Sequence, residues 1–370
     1  MTGKTEPRSC EVWQCKLLRM TALGMLAALL AAPRAGAETC LSSNEVEAST
    51  RAALEATARR YFDMTARGDA AGLRQHAIPS VAADFSGIEA AVQENQANFS
   101  GTQAAVRPPF LLKAEGDAPL QRAEFLCGVF GARGQTASSA VFVIPNLPSG
   151  DYAVVILDVT TAKGPWTISM VLEQFGSDWK LGGFYAKSAL AAGHDAAWFA
   201  DRAREFKAKS QLRNAWFYFL QARDLASPLP FMSTMQTDKL YDESQGVQPS
   251  DLPSTETPME IVAQVKVPPV AGQQPPSAKD HPVAPATTPK TFKMTSMFPV
   301  AFGNDLDLVV KYGSADVSST AATYADNVGV IHALVAKYPE LRDGFAGIVA
   351  RAVEPSGRDY GTLLAMKDVK

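Results

Sequence analysis

Histidine is scarce in this sequence, with 4 in 370 residues, and no HxxxH, HExxH or CxxC spacing occurs. Such spacings let two ligands from one element reach a single ion, so no metal site and no cofactor is expected. Positive charge is not in excess either: 35 Lys and Arg stand against 38 Asp and Glu, a formal net charge of −3. A chain without a basic surface cannot neutralise a phosphate backbone, which argues against nucleic acid as a partner. Cysteine is equally sparse, at four residues, and aromatics make up 9% of the chain. Against that background, the run Trp216, Phe217, Tyr218 and Phe219 asks for an explanation.

The amino terminus carries the clearest address. Lys4, Arg8, Lys16 and Arg19 precede an apolar run, Met20–Ala32, followed by Ala35 and Ala37 at −3 and −1 of an expected cleavage after Ala37. This is the order of a secretory signal peptide. The run has about thirteen residues, short of the roughly 20 a spanning helix needs, so no membrane span is expected after cleavage. Residues 1–37 are thus read as a leader and the protein as periplasmic or secreted. Lipid on Cys40 is the alternative, against which stands Thr39, where bacterial lipoproteins carry Gly, Ala or Ser. Loss of the leader removes five basic and two acidic side chains and leaves a net charge of about −6. It also removes Cys10 and Cys15, leaving Cys40 and Cys127, a pair that an oxidising compartment favours as a disulfide. Closing that loop would stabilise by roughly 4–5 kcal/mol in the chain-entropy account.

Periodicity divides the remainder. A helix over 44–67 is expected from Val46, Thr50, Ala53, Thr57, Tyr61 and Met64, ended by Gly68. Asp69 then caps a short helix that Pro79 terminates, and Ser86 with Glu89 has capping-box spacing ahead of Ile88, Val92 and Phe99. From Arg122 the period changes to two, giving five expected strands near 124–130, 139–144, 152–160, 166–175 and 179–186. Helices followed by a strand run indicate an α+β domain over 38–190.

The order helix, "ARGDAAGLRQHA", capped helix and strand meander closing on "FGSDWKLGGFYAK" resembles the cystatin-like cone fold of nuclear transport factor 2, ketosteroid isomerases and polyketide cyclases, over about 45–188. The resemblance implies a sheet wrapped around the long helix, a ligand pocket at the open end and homodimers formed through the sheet. Its isomerases place a carboxylate and a proton donor in an apolar pocket. The nearest candidates for that pocket are Tyr61, His76, Asp84 and Trp166. Three of them have a plainer role: Tyr61 lies on the helix's apolar stripe, His76 at a helix end, and Asp84 in a turn.

Residues 193–228 form an expected helical hairpin, and 197–228, "AWFADRAREFKAKSQLRNAWFYFLQARDLASP", resembles one tetratricopeptide repeat with Ala203, Ala215, Ala222 and Pro228 in place. In that arrangement Ala215, Phe219 and Ala222 face the first helix, while Trp216 and Leu220 point elsewhere. A lone repeat cannot cover its own apolar surface, so the hairpin is expected to pack on the preceding domain, with the aromatic run as core.

Ten of 24 prolines fall between Gln248 and Lys290, and 229–290 reads as a linker. Within it Met259–Val267 alternates apolar and polar residues, as an edge strand would, and stays unassigned. Residues 291–370 read as a small ββαββ domain. Phe292, Met294, Phe298, Val300 and Phe302 share one parity, and Leu306, Leu308, Val310 and Tyr312 another strand. A helix from Ser318 follows with Tyr324, Val328, Ile331, Val335 and Tyr338 inward and His332 at the surface, then strands near 344–353 and 359–366. The whole succession resembles secreted bacterial proteins without an assigned activity. It points to an exported, non-catalytic binding protein for a protein or small-molecule partner. The alternative is a small-molecule enzyme or carrier using the cone pocket.

Overall fold

The computed structural model describes residues 37–42, 44–132, 134–266 and 287–370. The expected leader lies outside the described residues, except for Ala37, whose backbone begins β1 (Ala37–Leu41). The proline-rich stretch 267–286 lies outside them too.

In the first unit, α1 (Ala48–Arg67) ends at Gly68, whose φ of 73° suits a residue without Cβ. Asp69 caps α2 (Ala70–Gln75) by accepting from the Gly72 N–H at 2.8 Å. Two expected signals act differently. Pro79 starts α3 (Pro79–Ala83) instead of ending a helix, because its missing N–H costs nothing at the first helical position. Ser86 is the first residue of α4 (Ser86–Phe99) and not its cap; its hydroxyl donates to Asp84 at 3.0 Å. The buried stripe of α1 is Leu54, Ala58, Tyr61, Phe62 and Thr65, rotated from the expected one at Ala53 and Thr57.

The strands form two layers, not one meander. β1, β3 (Phe110–Glu115), β6 (Gly150–Thr161), β7 (Gly164–Phe175) and β8 (Asp178–Ser188) make an antiparallel sheet in that order, and β2 (Ala104–Val106) also pairs with β6. β4 (Leu120–Cys127) and β5 (Ala140–Leu147) belong to a second sheet with β9 (Met232–Thr234). The reason lies in β6. Its Ala153, Val155 and Leu157 face the helices, while Tyr152, Val154 and Ile156 face the second sheet at Phe125 and Phe142. A strand apolar on both sides needs a cover on both sides. The face through which the resemblance implied dimers is thus occupied, over β3 and β6, by the chain's own second sheet. A disulfide between Cys40 of β1 and Cys127 of β4 ties the layers together.

The helical hairpin is α5 (Ala196–Ala208), capped by Asp195, and α6 (Leu212–Ala226). Beyond it, part of the expected linker is ordered structure. Thr234 and Thr237 form a reciprocal cap for α7 (Met235–Gln245), and β10 (Met259–Lys266) is the edge strand of a third sheet. That sheet runs β10, β11 (Thr287–Phe302), β12 (Asp305–Gly313), β13 (Gly347–Val353) and β14 (Asp359–Ala365). β12 and β13 are parallel and so need a crossover, supplied by α8 (Thr320–Lys337) and the short α9 (Leu341–Gly344). The expected parity of β11 holds only at its start. Its register shifts between Met294 and Ser296, after which Met297 and Ala301 take the core side and Phe302 is 53% exposed.

The hairpin buries its aromatics against this third sheet and not against the preceding domain. All four of Trp216–Phe219 are buried, in a core continuous with β10–β14 and α8. Phe217 meets Phe345 edge-on at 5.9 Å, and the Tyr218 hydroxyl donates to the Gly344 carbonyl at 2.6 Å. Any side chain at Gly344 would collide with Asn214, 2.7 Å from where its Cβ would stand. The buried Arg213 lies 3.8 Å over the Tyr338 ring and donates to Asp251, which also accepts from the Tyr338 hydroxyl. Contacts with the first unit are lighter: the Lys187 amino group donates to the Asp224 carbonyl, and the Ser169 hydroxyl to that of Pro228 at 3.1 Å. Aromatics on two sides of α6 required two covers, and the second came from downstream in sequence.

Candidate functional site

The four residues expected to line a cone pocket do not converge on one. Tyr61 is fully buried, and its hydroxyl donates to the Trp179 carbonyl at 2.8 Å and to the His76 carbonyl at 3.4 Å. Burial pushes its titration up. The His76 ring lies 5.8 Å from the Tyr61 ring, so these two are neighbours. Their contact is a structural one, because the hydroxyl is already spent on backbone carbonyls. Asp84 is exposed and accepts from Ser86, and Trp166 packs edge-on against Phe99 at 5.3 Å. The space between the helices and the first sheet is filled by Leu54, Phe62, Leu73, Val92, Phe99 and Met170.

A large concavity lies instead on the third sheet's helix. Asn327 sets its position. Fully buried, it accepts from the Tyr312 hydroxyl at 2.7 Å and donates to Thr362 Oγ1 at 2.9 Å and the Tyr360 carbonyl at 3.2 Å. These bonds turn Thr323, Asn327, Val330, Ile331 and Leu334 toward the sheet. The expected inward residues Tyr324 and Val328 are thereby rotated out, and Tyr324 is 48% exposed. Burial, followed by the Asp326 charge, raises the Tyr312 phenol above its ordinary range, so it stays a donor.

Tyr324, Ala325, Val328 and His332 form the floor of a groove of about 750 Å³. Gln264 and Lys266 of β10, with Thr287 of β11, make one wall; Tyr360 and Leu364 of β14, with Asp368, make the other. Gly329 lets β10 pass close over the helix: a Cβ there would stand 3.1 Å from Val265 and 3.2 Å from the Gln264 carbonyl. The lining is mostly apolar, with one amino group, one imidazole and one carboxylate around it. A site of this size and composition is of the kind that holds a small ligand or an extended peptide side.

His332, expected as a surface residue, is half-buried in this floor. Lys266, Tyr360 and Leu364 were not legible as site residues, since they reach the groove only through strand pairing. One signal did exist. Ala321, Ala325, Val328 and Gly329 follow helical spacing beside a second apolar stripe, and a helix apolar on two faces exceeds what one sheet covers. Among the described residues no three His, Cys, Asp or Glu side chains converge as metal ligands, and no helix is long and apolar enough to cross a membrane. Comparison of the chain with protein-family models, curated proteins and solved structures finds no match in any of the three.

Proposed function

We propose that this is an exported, non-catalytic binding protein whose ligand lies along α8, in the groove floored by Tyr324, Val328 and His332. The observation that carries the reading is the second apolar face of α8, which the third sheet leaves to the groove. Export is supported by the charged, apolar and small-residue order of the first 37 residues and by the Cys40–Cys127 bridge. The lining fits an elongated apolar body with polar ends, which Lys266, His332 and Asp368 would meet.

The test is titration of the full chain with the fluorescent amphiphile 1-anilinonaphthalene-8-sulfonate, with Ala321→Trp and Tyr324→Asp as variants. Ala321 is exposed on the groove lining, so an indole there fills the groove without entering the core. The parent should enhance the probe's emission, and both variants should lose most of that enhancement while keeping the parent's circular dichroism. Undiminished enhancement in both folded variants would remove the groove from the reading.

A further inference from the structure

A second concavity, of about 220 Å³, lies where the hairpin meets the third sheet, remote in lining from the groove. Five of its twelve lining residues are rings; Phe199, Tyr218 and Phe345 are buried behind it, and Trp198, 39% exposed, opens onto it. Trp198 stands edge-on to Phe199 at 5.0 Å and 86°, and 6.2 Å from Tyr218. Tyr218 is held by its bond to the Gly344 carbonyl and lies 6.2 Å from Phe345. His194 stacks on Trp198 at 3.6 Å with an interplanar angle of 7°. These mutual contacts place the rings before any ligand arrives, which removes an ordering cost from binding.

Apart from His194 and Asn304, the polar side chains of the lining are of one sign. Asp305, the first residue of β12, and Asp343 of α9 both border the cleft, and no Lys or Arg does. Asp343 accepts one bond, from Gln211 Nε2 at 2.6 Å. Among the described residues the Asp305 side chain has no hydrogen-bond or ion-pair partner. Its charge is felt next door: the Asp307 carboxyl is pushed up first by burial and then by Asp305. An adjoining concavity of about 280 Å³ shares Trp198 and Tyr218, and there the only base, Arg202, is paired with Glu205 at 2.5 Å.

We infer that this ring-walled, acid-lined cleft between the hairpin and the third sheet is a binding site for an organic cation, an ammonium or guanidinium group. The partly exposed Trp198 indole, on the side His194 leaves open, attracts such a cation through the ring quadrupole, and the Asp305 and Asp343 carboxylates add charge-assisted hydrogen bonds or direct attraction. The volume lies below the roughly 300 Å³ of the smallest sites for whole drug-sized ligands. It suits one cationic group, carried either by a free small molecule or by a basic side chain of a protein partner.

Calorimetric titration of the full chain at pH 8 tests this with three probes: choline, Nα-acetyl-lysine amide, and 3,3-dimethylbutan-1-ol, the neutral carbon analogue of choline. At least one cation should bind severalfold more tightly than the alcohol, the magnitude of cation–π contacts at an exposed ring. Preference for choline assigns the cleft to free ammonium compounds, and preference for the lysine amide to a partner's side chain. Trp198→Ala should weaken the bound cation severalfold, and Trp198→Phe less. Should Trp198→Ala fail to fold, Asp305→Asn decides: it breaks no bond within the protein, relieves Asp307 of a like charge and so should not lower the thermal transition, and should weaken the cation severalfold. The inference is overturned if neither cation binds, if the alcohol binds as well, or if Asp305→Asn leaves cation affinity unchanged.

Discussion

Two units of this chain lay a long helix on a sheet, and they finish the outward side of that helix differently. In the first unit α4 closes over α1, with Phe62 and Phe99 6.0 Å apart, and even the Tyr61 hydroxyl is satisfied inside. In the other, α8 is pinned inward by Asn327, and its outward residues become the floor of a groove. A helix carrying apolar residues on two faces needs two covers. Among the described residues the chain supplies both for α1 and one for α8, and the remainder is where a ligand site can form. The two units also differ in how they close their cores. The first closes its core between helices, two sheets and a disulfide, taking Leu229 and β9 from beyond the hairpin, whereas the third sheet shares one continuous core with the hairpin.

The sharpest way to break that second contrast is Phe217→Ala. Truncating this fully buried ring should cost about 3–5 kcal/mol. The loss should fall on hairpin and third sheet together, so hydrogen exchange should accelerate across both 196–226 and 287–370 while the first unit keeps its protection. Faster exchange confined to the hairpin would mean the two do not share a cooperative core.

A paired substitution sharpens the contrast between the helices. Tyr61→Phe leaves the buried Trp179 carbonyl without its donor and should cost about 1–3 kcal/mol in urea unfolding. Tyr324→Phe changes an exposed ring and should stay within about 0.5 kcal/mol. Equal costs would show that α8 is as closed as α1.

The smallest effect belongs to Asp307, buried in β12 with its carboxyl pushed up first by burial and then by Asp305. Folding raises this pKa, so the ionised form is a liability: the chain loses stability as pH rises through the folded value and recovers it below the ordinary carboxylate range. Asp307→Asn should therefore be more stable than the parent at pH 7, with the advantage shrinking as pH falls through that range. An advantage independent of pH, measured by urea unfolding at pH 7 and pH 4, would assign the gain to packing instead of charge.

Much of the element list was legible because period and punctuation act over a few residues. Gly68 and Asp69 end one helix and start the next as their chemistry requires, and the strands near Tyr152, Trp166 and Trp179 lie where alternation put them. Ser86 and Pro79 misled because the same residue types serve at neighbouring helix positions, and only the backbone conformation chooses between them. The candidate site was less legible. Tyr324 and Val328 belong to a helix that could be rolled either way on periodicity alone, and the choice was made by Asn327, a polar residue bonding to strands β12 and β14.

By itself the sequence determined the α+β class, the leader-like amino terminus, the Cys40–Cys127 pair and the burial of Trp216–Phe219, since each follows from local pattern or from composition. Tertiary structure alone decided which surface those aromatics bury against, that β4 and β5 leave the first sheet to cover β6, and that concavities form over α8 and beside Trp198. The physical reason is that apolar side chains specify how much surface must be covered but not by what. Partners such as Phe217 and Phe345, 128 positions apart, are chosen only when the whole chain has packed.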